Sequence, residues 1–158
     1  MLCDCFSSFG KTLTPDERAE FLRLRQKPLL EGKTFRDLAP ELVDSLLGPN
    51  SKPSVRQGLI ESILLLRKGS YLKTLEATQV FDQTAELEKM SMPVMLIYGS
   101  EDRLTPPAFG KEMALSIRNA QFEVIQGAGH LSNLEEPAEF NRLISIFFDK
   151  HAGLASFV

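Results

Sequence analysis

PVMLIYGSEDRLTPP at residues 93–107 and QFEVIQGAGHLSN at residues 121–133 decide the fold predicted for this chain. Pro93–Tyr98 is a short apolar run that ends at Gly99, which predicts a strand buried on both faces, as in a parallel sheet. Asp102 therefore lies just past the end of a strand.

The residues between these two segments predict a helix and a second strand. Thr105 is placed as a helix cap and is followed by two prolines, which are typical of a first helical turn. One face of this helix carries the apolar residues Phe109, Met113, Ala114 and Ile117. The next strand is predicted at Phe122–Ile125, and the glycine-rich segment 126–129 then leads to His130.

Asp102 and His130 are predicted to meet at one edge of the sheet. A strand, a helix and a second parallel strand form a right-handed crossover, so the loops after both strands leave the same carboxyl edge. Open α/β sheets place their ligand chemistry at that edge.

Composition and charge exclude several classes of protein. The chain has 158 residues, 43% of them hydrophobic and 25% charged, which is typical of a soluble single domain. A net charge of −3 and a pI near 5.5 predict no nucleic-acid partner and no anionic membrane partner. The sequence shows no secretory signal and no apolar run of membrane-spanning length, so the expected location is the cytoplasm.

The first half of the chain is predicted to be mainly helical. TPDE at Thr14 predicts a helix start, and this helix is expected to end before Pro28. A second helical segment spans Thr34–Leu47, where Asp37 completes the spacing of a capping box. Pro40 falls inside this segment and predicts two short pieces.

Three further helices are predicted. After the loop at residues 48–53, a helix opens at Ser54 and closes at Gly69, and another spans Ser70–Thr78. The last helix, Pro137–Lys150, has a wide apolar stripe that must pack on a sheet. The stripe consists of Phe140, Leu143, Ile144, Phe147 and Phe148.

GSEDRLTPP and GAGHLSNLEEPAEF, followed by an apolar terminal helix, resemble the C-terminal third of α/β-hydrolases. The closest resemblance is to small-molecule lactonases and esterases, including 3-oxoadipate enol-lactonases, and to carbon–carbon bond hydrolases. It is tight from Leu87 to Lys150. It implies an α/β fold in which a parallel strand–helix–strand–helix unit is preceded by a helical cap.

The resemblance also implies a division of the chain. Residues 1–9 are expected to be the remnant of a sheet strand and loop, 10–88 a helical cap, 89–150 the C-terminal part of the hydrolase core, and 151–158 a tail. Since Met1–Cys5 resembles the end of the family's sixth strand, the start of the fold is expected to be missing.

In the family, the acid of the triad follows the seventh strand and the histidine follows the eighth, which the resemblance maps onto Asp102 and His130. Asp102 would orient the imidazole, and His130 would act as the general base. Asp102 could instead pair with Arg103 or cap the helix after Thr105. Glu101 is an adjacent carboxylate, but the family spacing G-x-x-D favours Asp102.

The third member of the triad is not found. The family places its serine in G-x-S-x-G, and no glycine of this sequence has a serine two positions later. The side chains nearest the first strand are Ser7, Ser8, Cys3 and Cys5, but none lies in a strained turn. The two cysteines are interpreted as reduced, structural thiols. Because the family's oxyanion-hole amides also lie upstream, the isolated chain is predicted to be inactive.

Three other titratable residues receive structural interpretations. His151 lies at the end of the last helix, where it complements the helix dipole, and is given no catalytic role. Glu135 and Glu136 precede the same helix and are interpreted as acids at its N-terminus.

Two function classes follow. The first is a serine hydrolase acting on a small ester, lactone or carbon–carbon bond, present here as a C-terminal fragment. The second is a non-catalytic binding or interaction protein derived from a hydrolase. The expected partners are a small-molecule substrate and either an N-terminal hydrolase half or a second copy of the chain; no cofactor or metal is implied.

Overall fold

A three-stranded parallel sheet organises the protein. The computed structural model describes residues 1–10 and 13–152. The strands are β1 (Leu2–Cys3), β2 (Val94–Gly99) and β3 (Ala120–Ile125), in the spatial order β1-β2-β3. The predicted parallel sheet is confirmed, and the first residues of the chain add a short strand on the other side of β2.

Helices surround this sheet and fill the interval between β1 and β2. Within the described ranges they are α1 (Pro15–Leu30), α2 (Phe35–Leu46), α3 (Pro53–Leu64), α4 (Lys68–Thr78), α5 (Thr84–Leu87), α6 (Pro107–Ser116), α7 (Ser132–Glu135) and α8 (Pro137–His151).

Strand β2 is buried along its whole length. Successive side chains of a strand point to opposite faces, so the apolar residues of β2 contribute to two cores, one on each face of the sheet. Met95 and Ile97 pack with the apolar stripe of α8, whereas Leu96 and Tyr98 pack with Met113 on α6. Each such burial contributes about 1.5–3 kcal/mol to stability, which holds the strand end and its loop in place.

A separate apolar cluster lies in the helical segment, defined here as α1–α4. Its buried members are Leu29, Phe35, Leu38, Ala39, Val43, Leu47 and Ile63. Leu131, which follows His130, packs against this cluster. The helical segment therefore packs directly against the loop between β3 and α7, residues 126–131, which is called the histidine loop below. Its role as a cap stays a prediction.

Two prolines lie inside helices where interruptions were predicted, and those two predictions are wrong. Pro28 is in the last turns of α1, and the neighbouring Leu29 is only 1% exposed. Pro40 lies within the single helix α2, between the buried residues Ala39 and Val43. A proline removes one helical hydrogen bond, and burial of the adjacent apolar side chains outweighs that loss.

Several other boundaries differ from prediction: α3 begins at Pro53, not Ser54, and β3 begins at Ala120, not Phe122. The third helix ends at Leu64, and Gly69 lies in the first turn of the next helix. Pro106, not Thr105, is the N-cap of α6, because the Thr105 hydroxyl donates to Asp102. The other predicted starts at Thr14 and Thr34 are confirmed.

The terminal helix is confirmed, and Phe140, Leu143, Ile144 and Phe147 pack on the sheet as predicted, but Phe148 is 62% exposed, so its place in the predicted stripe is wrong. The helix extends one residue further, to His151, whose ring lies 4.7 Å from that of Phe147. Most of the predicted tail lies outside the described residues. No helix in the described ranges has both the length and the apolar character needed to cross a membrane.

Two helical glycines distinguish close packing from helix propensity. A Cβ added to Gly110 in α6 would overlap the buried ring of Tyr98, whereas one added to Gly58 in α3 would meet open space. We expect Gly110→Ala to lower the free energy of unfolding by about 1–3 kcal/mol. Gly58→Ala should raise it by about 0.5–1 kcal/mol. Urea unfolding measures both, and equal effects would contradict the packing of α6 on β2.

Candidate active site

The loops after β2 and β3 bring Asp102 and His130 together. Oδ2 of Asp102 lies 2.9 Å from Nδ1 of His130. The side chain of Asp102 is fully buried, and that of His130 is 21% exposed. The predicted contact between these two residues is confirmed.

Asp102 is surrounded by hydrogen-bond donors. The backbone N–H groups of Leu104 and Thr105 each donate to Oδ1 at 2.9 Å, and the Thr105 hydroxyl donates to Oδ2 at 2.6 Å. Burial raises the pKa of Asp102, but the hydrogen bonds from His130 and Thr105 outweigh it and leave this pKa below its usual range. The carboxylate is therefore ionised at neutral pH.

These contacts assign the tautomer of His130. An ionised carboxylate only accepts hydrogen bonds, so the proton of the neutral imidazole lies on Nδ1, facing Asp102. The Thr105 hydroxyl is 3.1 Å from the same nitrogen and helps to orient the ring. Nε2 is then free to accept a proton. The sequence pattern predicted Thr105 only as a helix cap, although its position three residues after Asp102 is a signal for this contact.

The alternatives considered for Asp102 are resolved by the same loop. Arg103 donates to the backbone carbonyls of Asp44 and Leu47 at the end of α2, and not to Asp102. Glu101 is exposed, and its hydrogen-bond partner in the described part of the chain is the Ser100 hydroxyl at 3.4 Å. Asp102 does bind the backbone of Thr105, but it binds His130 at the same time.

The predicted role of Glu135 as an acid at the N-terminus of α8 is wrong. This residue is only 3% exposed, and its carboxylate does not serve the N-terminus of α8. It accepts from the N–H groups of Gly48 at 2.7 Å and Gly129 at 2.9 Å, and from the Ser51 hydroxyl. A carboxylate can accept several hydrogen bonds, so Glu135 joins the histidine loop to the loop after α2. Hydrophobic periodicity alone gives no signal of this role.

The glycines before His130 allow a close approach of backbones. Gly127 has a φ of 81°, which makes the turn after β3. A Cβ on Gly129 would lie 2.6 Å from the carbonyl oxygen of Leu46. The N–H of His130 donates to that same oxygen at 2.7 Å. The expected turn is confirmed, but the backbone that approaches this loop belongs to the helical segment.

Side chains near β1 do not supply an activated nucleophile. Burial raises the pKa of Cys3 to about 11 and also raises the pKa of Cys5, so both thiols are protonated at neutral pH. The ring of His130 is hydrogen-bonded to Asp102 and Thr105, and to no serine in the described ranges. Those ranges also hold no group of three or more His, Cys, Asp or Glu that could bind a metal ion.

Residues 6–137 match the family model of the alpha/beta hydrolase fold. This chain belongs to that family. Among solved structures it is similar to a thermophilic esterase from Thermogutta terrifontis, with a TM-score of 0.77 and 27% identity over 94% of this chain and 54% of that one. The enol-lactonase from Burkholderia xenovorans LB400 shares the fold at a TM-score of 0.74 and 21% identity, over 93% of this chain and 54% of that one.

Curated hydrolases show the same relationship in sequence. The chain is 34% identical to 3-oxoadipate enol-lactonase 1 of Acinetobacter baylyi over 60% of this chain and 35% of that protein. It is 30% identical to enol-lactonase 2 of the same organism over 70% of this chain and 36% of that protein. The chain thus spans about a third of the length of these curated relatives.

The hydrogen bond from Thr105 to Asp102 predicts a pH-dependent stability. A folded pKa below the unfolded value of about 3.9 stabilises the fold above that pH, and the contribution is lost as the pH falls through the folded pKa. Thr105→Val removes a hydrogen bond to the charged group, so we expect a deficit of about 1.5–3 kcal/mol at pH 7. The deficit should shrink below about pH 4.

Urea unfolding at pH 7 and at pH 3 measures this deficit. Thr74→Val is the matched control, because Thr74 is exposed on α4 and should change stability by no more than about 0.5 kcal/mol at either pH. A Thr105→Val deficit that does not depend on pH would contradict the assignment.

The two adjacent glutamates before α8 should behave differently. Glu135→Gln replaces one accepting oxygen by an NH₂ group that faces buried N–H donors, so we expect a loss of about 3 kcal/mol in the free energy of unfolding. Glu136→Gln changes an exposed side chain and should have an effect within about 0.5 kcal/mol. Thermal or urea unfolding measures both, and similar losses would contradict the role of Glu135.

Proposed function

We propose that this chain supplies the general base and the orienting acid of a serine hydrolase that acts on a small ester, lactone or carbon–carbon bond. The 2.9 Å contact between Asp102 and Nδ1 of His130, which leaves Nε2 free, carries the proposal. The family and the esterase and lactonase relatives support the hydrolase class. The small-molecule substrate is inferred from those relatives.

The proposed chemistry follows from the tautomer. Nε2 of His130 takes the proton of a serine hydroxyl while the serine oxygen bonds to the substrate carbonyl carbon. The imidazolium that forms is stabilised by the ionised Asp102 carboxylate, which stays ionised throughout. His130 then gives the proton to the leaving group as the bond between that group and the carbonyl carbon breaks, which leaves an acyl-serine. A water, deprotonated by His130, attacks the acyl carbon, and the acyl–serine bond breaks as His130 returns the proton to the serine oxygen.

We infer that the nucleophile comes from an N-terminal hydrolase half. Two observations support this: the sequence has no G-x-S-x-G, and the chain spans only about a third of its curated relatives. The oxyanion-hole donors would come from the same half. Removal of one such donor lowers kcat by about a hundredfold or more, so the chain alone is expected to be inactive.

A second candidate is a non-catalytic binding or interaction protein derived from a hydrolase, which would also lack the serine motif. In that case the Asp102–His130 pair would be an inherited structural contact. The outcome of a reconstitution experiment separates the two candidates.

Hydrolysis of 4-nitrophenyl acetate tests the proposal. The purified chain is assayed alone and together with an N-terminal hydrolase half that carries G-x-S-x-G. We expect activity only with both parts and a loss of at least about a thousandfold in kcat for His130→Ala, because the general base is removed. His151→Ala is the matched control, since these are the two histidines of the sequence, and it should leave kcat unchanged.

Two results would contradict this account. Hydrolysis by the chain alone that disappears in His130→Ala would place the nucleophile within these residues. Binding of the N-terminal half without any hydrolysis that depends on His130 would favour the binding protein.

A further inference from the structure

Asp4 joins the two loops that carry Asp102 and His130. It follows β1 and is only 8% exposed. Its Oδ1 accepts from the N–H of Gly99 at 2.9 Å, and its Oδ2 accepts from the Ser132 hydroxyl at 2.6 Å and the Ser132 N–H at 3.2 Å. Gly99 is the last residue of β2 and directly precedes the acid loop, residues 100–106. Ser132 is the first residue of α7 and directly follows the histidine loop, residues 126–131. One carboxylate therefore holds both loops at the carboxyl edge of the sheet.

This arrangement is unfavourable for Asp4 itself in two ways. Its φ of 42° is in the left-handed region, which is strained for a residue other than glycine. Burial raises the pKa of its carboxyl group, and the charge of Asp102 raises it further, although the hydrogen bonds from Ser132 and Gly99 oppose this. Since the folded pKa is raised, the ionised carboxylate opposes folding at neutral pH. Strain and a buried charge at one residue are typical of functional sites.

The donors bound by Asp4 are buried and would otherwise be unpaired. Ser132 is fully buried and starts α7, so it cannot reach solvent without moving the histidine loop. Such a movement would change the distance between His130 and Asp102. A misplacement of about 1 Å can lower the rate of an enzyme by about a hundredfold.

We propose that Asp4 is a positioning residue that fixes the His130 ring against Asp102 by binding both loops. Its catalytic importance rests on the function proposed above, because the spacing matters for hydrolysis only if His130 is the base. The restraint of the His130–Asp102 pair by Asp4 does not depend on a substrate and can be measured without one. The sequence signal is a single acid in the apolar stretch Met1–Cys5.

The exchange of the His130 Nδ1 proton with water measures this restraint directly. In the full chain labelled with ¹⁵N-histidine, only two ring systems contribute signals, and His151 serves as the internal reference. Asp4→Asn replaces one accepting oxygen by a donor, and we expect proton exchange at His130 to become at least about tenfold faster as the loop loosens. Ser132→Ala removes one hydroxyl without a change of charge and should accelerate exchange as well.

Glu101→Gln is the matched control. It removes a carboxylate of the same loop that is exposed and does not contact His130, so exchange should stay within about twofold of the wild-type rate. The methyl resonance of the buried Met95 reports whether each variant keeps the core of the sheet.

Three results would overturn the proposal. The first is wild-type exchange in both Asp4→Asn and Ser132→Ala. The second is faster exchange in Asp4→Asn together with a wild-type exchange rate in Ser132→Ala, which would indicate an effect of the Asp4 charge. The third is a wild-type His130 proton that exchanges as fast as that of His151. If Asp4→Asn loses the Met95 resonance, Ser132→Ala decides alone.

The measurement is independent of the esterase assay. Slow exchange that increases in the variants, together with no hydrolysis by the reconstituted protein, would support the positioning role and contradict the proposed function. Hydrolysis that depends on His130, with an unchanged exchange rate in both variants, would support the proposed function and contradict the positioning role.

Discussion

Burial of β2 on both faces is the constraint on which the rest of the structure depends. Its alternating side chains enter the α8 core and the α6 core, so a shift of one residue would exchange the two sets. The parallel register pairs Leu96 with Leu2 on one side and with Phe122 on the other. β2 and β3 end together at Gly99 and Ile125, and β1 ends two register positions earlier, at Cys3 opposite Ile97. Asp4, Asp102 and His130 therefore follow strands at the same edge of the sheet.

Buried carboxylates connect the parts of this edge. Glu135 binds the loop after α2 to the histidine loop, and Asp4 binds the histidine loop to the acid loop. A buried charge is tolerated only when it is hydrogen-bonded, and bonds to an ionised acceptor are the stronger ones. At Asp102 the donors outweigh burial and lower the pKa, whereas at Asp4 burial dominates and raises it. Asp102 is thus the more readily ionised of these two buried aspartates.

The Asp102–His130 pair is assembled by one strand–helix–strand crossover. β2, α6 and β3 place Asp102 beside His130, and the Thr105 hydroxyl completes the contact from within the same loop. The side-chain contacts of the His130 ring with Asp102 and Thr105 thus lie within residues 102–130. The fold by itself does not assign the function, because 94% of the chain superposes on only 54% of an esterase.

The sequence by itself determined the strand at β2, the crossover after it and the meeting of Asp102 with His130, because apolar periodicity and glycine-terminated strands are local signals. It also determined most of the stripe that packs α8 on the sheet, except Phe148, which is exposed. Only the tertiary structure decided that Pro28 and Pro40 remain inside helices, since burial of neighbouring side chains outweighs a local preference. It alone decided the partners of Glu135 and Asp4, because those hydrogen bonds join segments distant in sequence, which no periodicity records.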